Sequence, residues 1–182
     1  MNASNFMRDR QRPLTRLYGS TPQAAWVTDS AQTTSTTDDP LHGSVALKGN
    51  HTVPVALHSA VGGESDAPVP GDILCGALAS CLDSTLRVVA DRLGVGLREV
   101  SITADADVDV RGTLMVSSDV PVAFQRLRMS VHVVAEEGTQ QSTIDGLVRI
   151  AEQCCVVLQT LRHGVTVDVG LAGAVEGAGH AA

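Results

Sequence analysis

The sequence predicts an α+β fold in which antiparallel sheets pack around two central helices. Three observations indicate this class. Strand patterns with a two-residue period occur before, between and after two long helical patterns, and short turns join neighbouring strands. The 182 residues are 43% hydrophobic and only 18% charged, which is typical of a folded globular chain.

The length fits one domain, which we expect at residues 23–171. Residues 1–22 contain four arginines and little apolar sequence, and we interpret them as an N-terminal arm. Residues 172–182 are rich in Gly and Ala and are expected to form a disordered C-terminal tail. Within residues 24–36, the segment Ala25-Trp26-Val27 suggests the first strand.

A hairpin follows. Residues 43–47 and 52–58 have strand character, and Gly49-Asn50 between them is a strong hairpin turn signal. Pro54 cannot donate a ladder hydrogen bond, so it predicts an edge position for the second of these strands.

The next segment predicts a long helix. Pro70 and Gly71 block an earlier start, Asp72 is suited to cap the first turn, and Gly94 ends the helix after about 22 residues. One apolar stripe runs along it at three- and four-residue spacing: Ile73, Leu74, Ala77, Leu78, Cys81, Leu82, Leu86 and Val89. Cys81 therefore lies on a rigid element with apolar neighbours.

Two further strands and a second helix complete the pattern. Residues 100–111 alternate apolar side chains with carboxylates, and residues 127–133 alternate apolar side chains with Arg126, Arg128 and other polar groups. Opposite charges on the polar faces predict cross-strand pairing rather than a cation site. Residues 142–162 predict a buried helix capped by Ser142 or Thr143, and a final strand is expected at residues 165–169.

The composition excludes several functional classes. A net charge of −7 with few aromatic residues argues against a nucleic-acid partner. Since no apolar run approaches membrane-spanning length and no leader pattern opens the chain, we expect no membrane partner and a cytoplasmic location. Four cysteines in a reducing compartment are inert core residues, a redox site or a metal site.

Spacing restricts what the cysteines can do. Cys75 and Cys81 point to different faces of one helix, and a disulfide between adjacent Cys154 and Cys155 would be strained. A partnership therefore joins one cysteine from each helix, although most buried thiols are inert. A thiolate metal site using Cys75, Cys81 and Cys154 or Cys155 is a further hypothesis, without the C-x-x-C spacing typical of such sites.

Two motifs resemble the OsmC/Ohr family of thiol-dependent hydroperoxide reductases. The first is the segment 70–86 with Cys81. The second is Glu152-Gln153-Cys154-Cys155-Val156-Val157 followed by Thr160-Leu161, where the family has Cys-Pro-Val before a similar pair. The alignment puts the family cysteine at Cys155, with Val156 in place of the proline. The similarity extends over roughly residues 24–171.

The resemblance implies an OsmC-like intertwined homodimer with active sites at its interface. It implies a peroxidase of the oxidative stress response, in which Cys81 attacks an organic hydroperoxide and becomes a sulfenic acid. Cys155 then forms a disulfide with Cys81, and a lipoyl-type dithiol or small thiol reduces it. No cofactor is implied.

The charged residues of the family are only partly present. The family has an arginine on the first strand, which is missing here, and a glutamate at the position of Gly71, so Asp72 becomes the candidate orienting carboxylate. Cations that could replace the arginine are Lys48, Arg87, Arg111, Arg126 and Arg128. The alternative hypothesis is therefore a non-enzymatic dimeric module that senses redox state or binds apolar ligands.

Overall fold

The structure is a computed structural model that describes residues 6–171, and its α+β class agrees with the prediction. The helices are α1 (Phe6–Ser20), α2 (Pro70–Leu93), α3 (Val110–Thr113), α4 (Gln141–Cys154) and α5 (Val156–His163). The strands are β1 (Gln32–Thr34), β2 (His42–Leu47), β3 (His51–Ala56), β4 (Leu97–Val108) and β5 (Phe124–Ala135). Two antiparallel sheets form, β1-β2-β3 and β4-β5.

The β2–β3 hairpin is confirmed. Gly49 and Asn50 take φ values of 82° and 61°, a left-handed conformation that these two residue types tolerate well. Strand β3 is an edge strand, which accommodates the missing N–H of Pro54.

The N-terminal part differs from the expectation in two ways. The predicted strand at Ala25-Trp26-Val27 is wrong, because Pro22–Ala25 forms a 3₁₀ turn and the first strand lies later, at β1. Most of the predicted arm is helix α1, which is anchored on α2. The Asp91 carboxylate accepts hydrogen bonds from the backbone N–H groups of Met7 at 2.8 Å and Arg8 at 3.4 Å.

Helix α2 forms the centre of the core. Gly94 ends it with φ 70°, as predicted, but it begins at Pro70, because proline is favoured in a first turn whose N–H groups have no partner. Its buried side chains are Leu78, Leu82, Leu86, Val89 and Ala90. They pack against α4, α5 and the inner face of β4 and β5, which contributes Ile102, Leu127, Met129, Val131 and Val133.

The expectation that no apolar run approaches membrane-spanning length is wrong for helix α2. This helix is long and apolar enough to cross a membrane by length and composition, with a mean hydropathy of 1.5. Five of its side chains lie in the buried core cluster, and 28% of this apolar window is buried in one chain.

The β4–β5 pair follows the predicted register of charges. Asp105 lies opposite Arg128, Asp107 lies opposite Arg126, and the close ion pair is the diagonal one between Arg128 and Asp107. The strand predicted to reach Arg111 ends at Val108, because the Asp109 carboxylate caps the short helix α3.

Two expectations for the C-terminal part require correction, and a third is not tested. The single helix predicted over residues 142–162 begins at Gln141 and is divided at Cys155 into α4 and α5. The strand expected at residues 165–169 does not form within one chain of the described residues, and Val165, Val167 and Val169 are 69%, 76% and 94% exposed. The tail predicted at residues 172–182 lies outside the described residues.

Candidate functional site

The side chains of Cys81 and Cys155 meet in the core of the molecule. Cys81 is half-buried on α2, whereas Cys155 is fully buried at the junction of α4 and α5. Cys81 packs against the buried cluster that contains Cys155, and it is near enough to raise the pKa of the Cys155 thiol. The fold thus brings one cysteine of each motif together.

The break between α4 and α5 positions Cys155. This residue has extended backbone angles, φ −76° and ψ 106°, and serves as the last residue of one helix and the cap of the next. The Gln159 side chain donates a hydrogen bond of 2.7 Å to the carbonyl of Glu152, which the break deprives of a helical partner. The Arg162 guanidinium pairs with the Glu152 carboxylate at 3.0 Å.

The surroundings of Cys155 keep its proton in place. Burial raises the pKa of the Cys155 thiol above its ordinary value, and the neighbouring Cys81 raises that pKa further. The Leu158 and Val157 backbone N–H groups partly offset this, because they lie at the positive end of α5 without forming full capping hydrogen bonds. Cys155 is therefore neutral at physiological pH.

Cys75 and Cys154 stay apart from this pair. Cys75 is half-buried near the carboxylates of Asp72 and Asp105, and burial followed by these negative charges raises its pKa. Cys154 is exposed. Within residues 6–171, the cluster of three or more metal-ligating side chains contains no cysteine. The thiolate metal hypothesis is therefore not supported.

Asp72 lies at the start of α2. Its carboxylate accepts a hydrogen bond of 3.0 Å from the Val69 backbone N–H, which satisfies one of the free donors at this end of the helix. Nine residues of helix, roughly 13 Å of rise, separate Asp72 from Cys81. Within one chain, Asp72 acts on Cys75 and on the helix terminus.

Three of the five candidate cations are already engaged. Arg87 pairs with Asp83, Arg111 with Asp109, and Arg128 with Asp107. The other two, Lys48 and Arg126, are exposed, and Arg126 lies near Asp107. Each of these charges faces a carboxylate or solvent.

The Glu152–Arg162 pair is a feature that the sequence did not indicate. It lies at a cavity of about 350 Å³ whose apolar walls include Leu78, Leu82, Leu158 and Met129. Leu78 and Leu82 flank Cys81 on α2, and Leu158 follows Cys155 by one helical turn. Glu152 and Arg162 are ten residues apart, which is too far for neighbours on one straight helix. They come into contact because the chain bends at Cys155.

The segment that carries both cysteine motifs matches a known protein family. A family model described as OsmC-like protein matches residues 62–170, which include both cysteine motifs. The chain belongs to the OsmC-like family. The resemblance inferred from the two motifs is thereby confirmed. No curated protein matches the OsmC-like chain by sequence.

Solved OsmC-like structures share the fold at low sequence identity. An OsmC-like protein from Mycoplasma pneumoniae has a TM-score of 0.62 at 9% identity, covering 76% of this chain and 89% of its own. An organic hydroperoxide resistance protein OsmC from Legionella pneumophila has a TM-score of 0.58 at 22% identity, and the match covers 76% of this chain and 92% of that protein. An organic hydroperoxide resistance protein from Elizabethkingia anophelis has a TM-score of 0.58 at 19% identity, and the match covers 77% of this chain and 91% of that protein.

Proposed function

We propose that this OsmC-like protein is a thiol-dependent peroxidase that reduces organic hydroperoxides to alcohols. The observation that carries this proposal is the proximity of Cys81 and Cys155 in the core, where Cys81 packs against the cluster that contains Cys155. Support comes from family membership and from two structural neighbours that are named organic hydroperoxide resistance proteins.

The first step is nucleophilic attack. The Cys81 thiolate attacks the distal oxygen of the hydroperoxide, a sulfur–oxygen bond forms, and the oxygen–oxygen bond breaks. The leaving alkoxide takes up a proton and departs as the alcohol. Cys81 is left as a sulfenic acid, oxidised by two electrons.

The second step uses Cys155. Its sulfur attacks the sulfur of the Cys81 sulfenic acid, the sulfur–oxygen bond breaks, and water and a Cys81–Cys155 disulfide result. An external dithiol of lipoyl type, or a small thiol, returns both cysteines to the reduced state. Since Cys155 retains its proton while Cys81 reacts, the pair avoids two adjacent negative charges. The cycle uses no bound cofactor.

A cavity lined by leucines near the two cysteines in sequence, Leu78, Leu82 and Leu158, suits the hydrocarbon part of a substrate. Its volume of about 350 Å³ accommodates a small alkyl or aryl group against the leucine side chains. The Glu152–Arg162 pair provides the polar groups of the cavity. We therefore expect organic hydroperoxides to be preferred over hydrogen peroxide.

The active unit in this proposal is an intertwined homodimer. Sheet β1-β2-β3 shares a cavity of about 400 Å³ with Pro70 and Ile73 at the start of α2. Trp26, Leu47 and the 165–169 valines leave apolar surface open in one chain. A second copy would cover it, and only such a copy could bring Asp72 to an orienting role at the thiols.

Four free thiols fit a reducing compartment such as the cytoplasm.

Single-cysteine variants test the proposal. Cys81→Ser should abolish consumption of cumene hydroperoxide with a dithiol reductant. Cys155→Ser should stop after one turnover and leave a sulfenic acid at Cys81 that dimedone traps, because no second thiol resolves it. Cys154→Ser is the matched control, since it removes an exposed thiol next to Cys155. Turnover of Cys81→Ser at the wild-type rate would refute the proposal.

The second candidate is a non-enzymatic dimeric module that senses redox state or binds an apolar ligand. The observation in its favour is that the candidate cations face carboxylates or solvent within one chain. It predicts one stoichiometric oxidation of the cysteine pair and no sustained turnover with any dithiol. Sustained turnover by the wild-type protein would therefore exclude it.

A further inference from the structure

His42, at the start of β2, is held between carboxylates from two distant segments of the chain. Its Nδ1 lies 2.9 Å from the Asp39 carboxylate, and its Nε2 lies 3.0 Å from the Asp66 carboxylate. Glu64 joins the same cluster, because the ligand atoms of His42, Glu64 and Asp66 all lie within 4.8 Å of one another. This group is separate from the four cysteines.

Asp39 determines which nitrogen of His42 faces the other two side chains. Its carboxylate accepts hydrogen bonds from the backbone N–H groups of Leu41 at 3.1 Å and His42 at 3.2 Å, so the turn itself fixes its position. A carboxylate that accepts from Nδ1–H selects the tautomer whose Nε2 is free to act as a ligand. Metal-ligating histidines are commonly oriented in this way.

We propose that His42, Glu64 and Asp66 bind a divalent transition-metal cation of the zinc class, with Asp39 orienting the imidazole. One imidazole nitrogen and two carboxylates form a ligand set that suits Zn²⁺ and neighbouring cations. The cation would lie between Nε2 and the two carboxylates, and when His42 is protonated the proton on Nε2 would leave to solvent as the cation binds. The two carboxylates would balance its charge.

The distances allow this with small side-chain movements. A cation about 2.1 Å from each ligand atom requires those atoms to lie no more than about 4.2 Å apart. The observed limit of 4.8 Å exceeds this by a fraction of an ångström. The His42 and Asp66 side chains are 33% and 53% exposed, so they can move and the remaining coordination positions open to water.

A bound cation would join two parts of the fold. The ligands come from the beginning of β2 and from the loop that leads into α2, and His42 also borders the cavity of about 400 Å³ that the sheet shares with Pro70 and Ile73. A cation that binds only the folded chain stabilises it in proportion to the logarithm of its concentration over Kd. Metal binding is therefore expected to raise Tm, independently of peroxidase activity.

Titration of the whole reduced protein with Co²⁺ tests the site. Visible absorption separates the possible ligands, because thiolates give intense charge-transfer bands with Co²⁺ and nitrogen and oxygen ligands give only weak ones. We expect weak bands at one equivalent. Asp39→Asn should weaken binding by about tenfold through lost orientation of the imidazole, and His42→Gln by more. His51→Gln, on the adjacent strand, is the matched control.

Two results would overturn the proposal. One is a thiolate spectrum in the wild type, which would assign the cation to the cysteines. The other is equal affinity of the His42→Gln and His51→Gln variants. Because His42 also holds two loops together, its replacement can weaken the fold, and Glu64→Gln at an exposed ligand provides the second test. Unchanged Co²⁺ affinity in Glu64→Gln would likewise count against the site.

Discussion

Cys155 is completely buried, and it lies where α4 ends and α5 begins. Burial raises its pKa in the folded chain, whereas in the unfolded chain the thiol ionises at its ordinary value. The fold therefore binds this proton more tightly than the unfolded chain does. Its contribution to stability is fully present below about pH 8.5 and is lost as the pH rises towards the pKa of the folded state.

The first prediction concerns alkaline stability. The free energy of unfolding of the reduced protein should fall above about pH 8.5, and Cys155→Ala should remove a slope of up to about 1.4 kcal/mol per pH unit. Part of the fall should persist, because the pKa of Cys75 is also raised. Urea unfolding at about pH 7.5 and about pH 9.5 measures the difference. Cys154→Ala controls for loss of a thiol, and a wild-type slope in Cys155→Ala would contradict the prediction.

At the scale of elements, predictability depended on local chemistry. Gly49-Asn50 predicted the hairpin and Gly94 predicted the end of α2, because each requires a backbone conformation that few residues adopt. The division at Cys155 could not be predicted, since every residue around it tolerates a helix. The contacts of Gln159 and Arg162 with Glu152 form across the break and depend on tertiary geometry. The family proline at position 156 would have signalled the division, and this chain has valine.

The second prediction concerns the end of α2. Gly94 has φ 70°, and a Cβ added there would meet no atom within 4 Å, so a substitution costs only backbone strain. Gly94→Ala should lower the free energy of unfolding by about 1–2 kcal/mol. Gly94→Asn should lower it less, because Asn tolerates the left-handed conformation. Urea unfolding compares the variants, and equal losses for Ala and Asn would contradict the backbone explanation.

At the scale of the whole molecule, the cysteine pair could be expected in part and its surroundings could not. Both family motifs predicted cysteines on separate helices, and the fold brings Cys81 and Cys155 together. The position of Asp72 beside Cys75 and the Glu152–Arg162 pair depend on tertiary geometry that periodicity does not contain. The final strand was expected from the alternating valines, yet residues 165–169 form no strand in the part of the chain that the structure describes.

The third prediction follows from those valines. We expect residues 165–169 to pair with a second copy, so that Val165→Lys weakens dimerisation by placing a charge in an apolar interface. Sedimentation equilibrium should give a higher dimer Kd for this variant than for the wild type. Val116→Lys is the matched control, because both valines are 69% exposed in one chain. A monomeric wild type, or equal effects of the two variants, would contradict the prediction.

The unequal burial of Cys81 and Cys155 would determine which sulfur of the proposed disulfide a reductant attacks. A reductant that approaches from solvent finds no accessible surface on Cys155, whereas Cys81 is partly accessible. Exchange begins with in-line attack on one sulfur, so the incoming dithiol would become covalently linked to Cys81 and release Cys155 as the leaving group. The same side chain would then receive both the oxidant and the electrons that restore it, and the interior sulfur would never meet a foreign molecule.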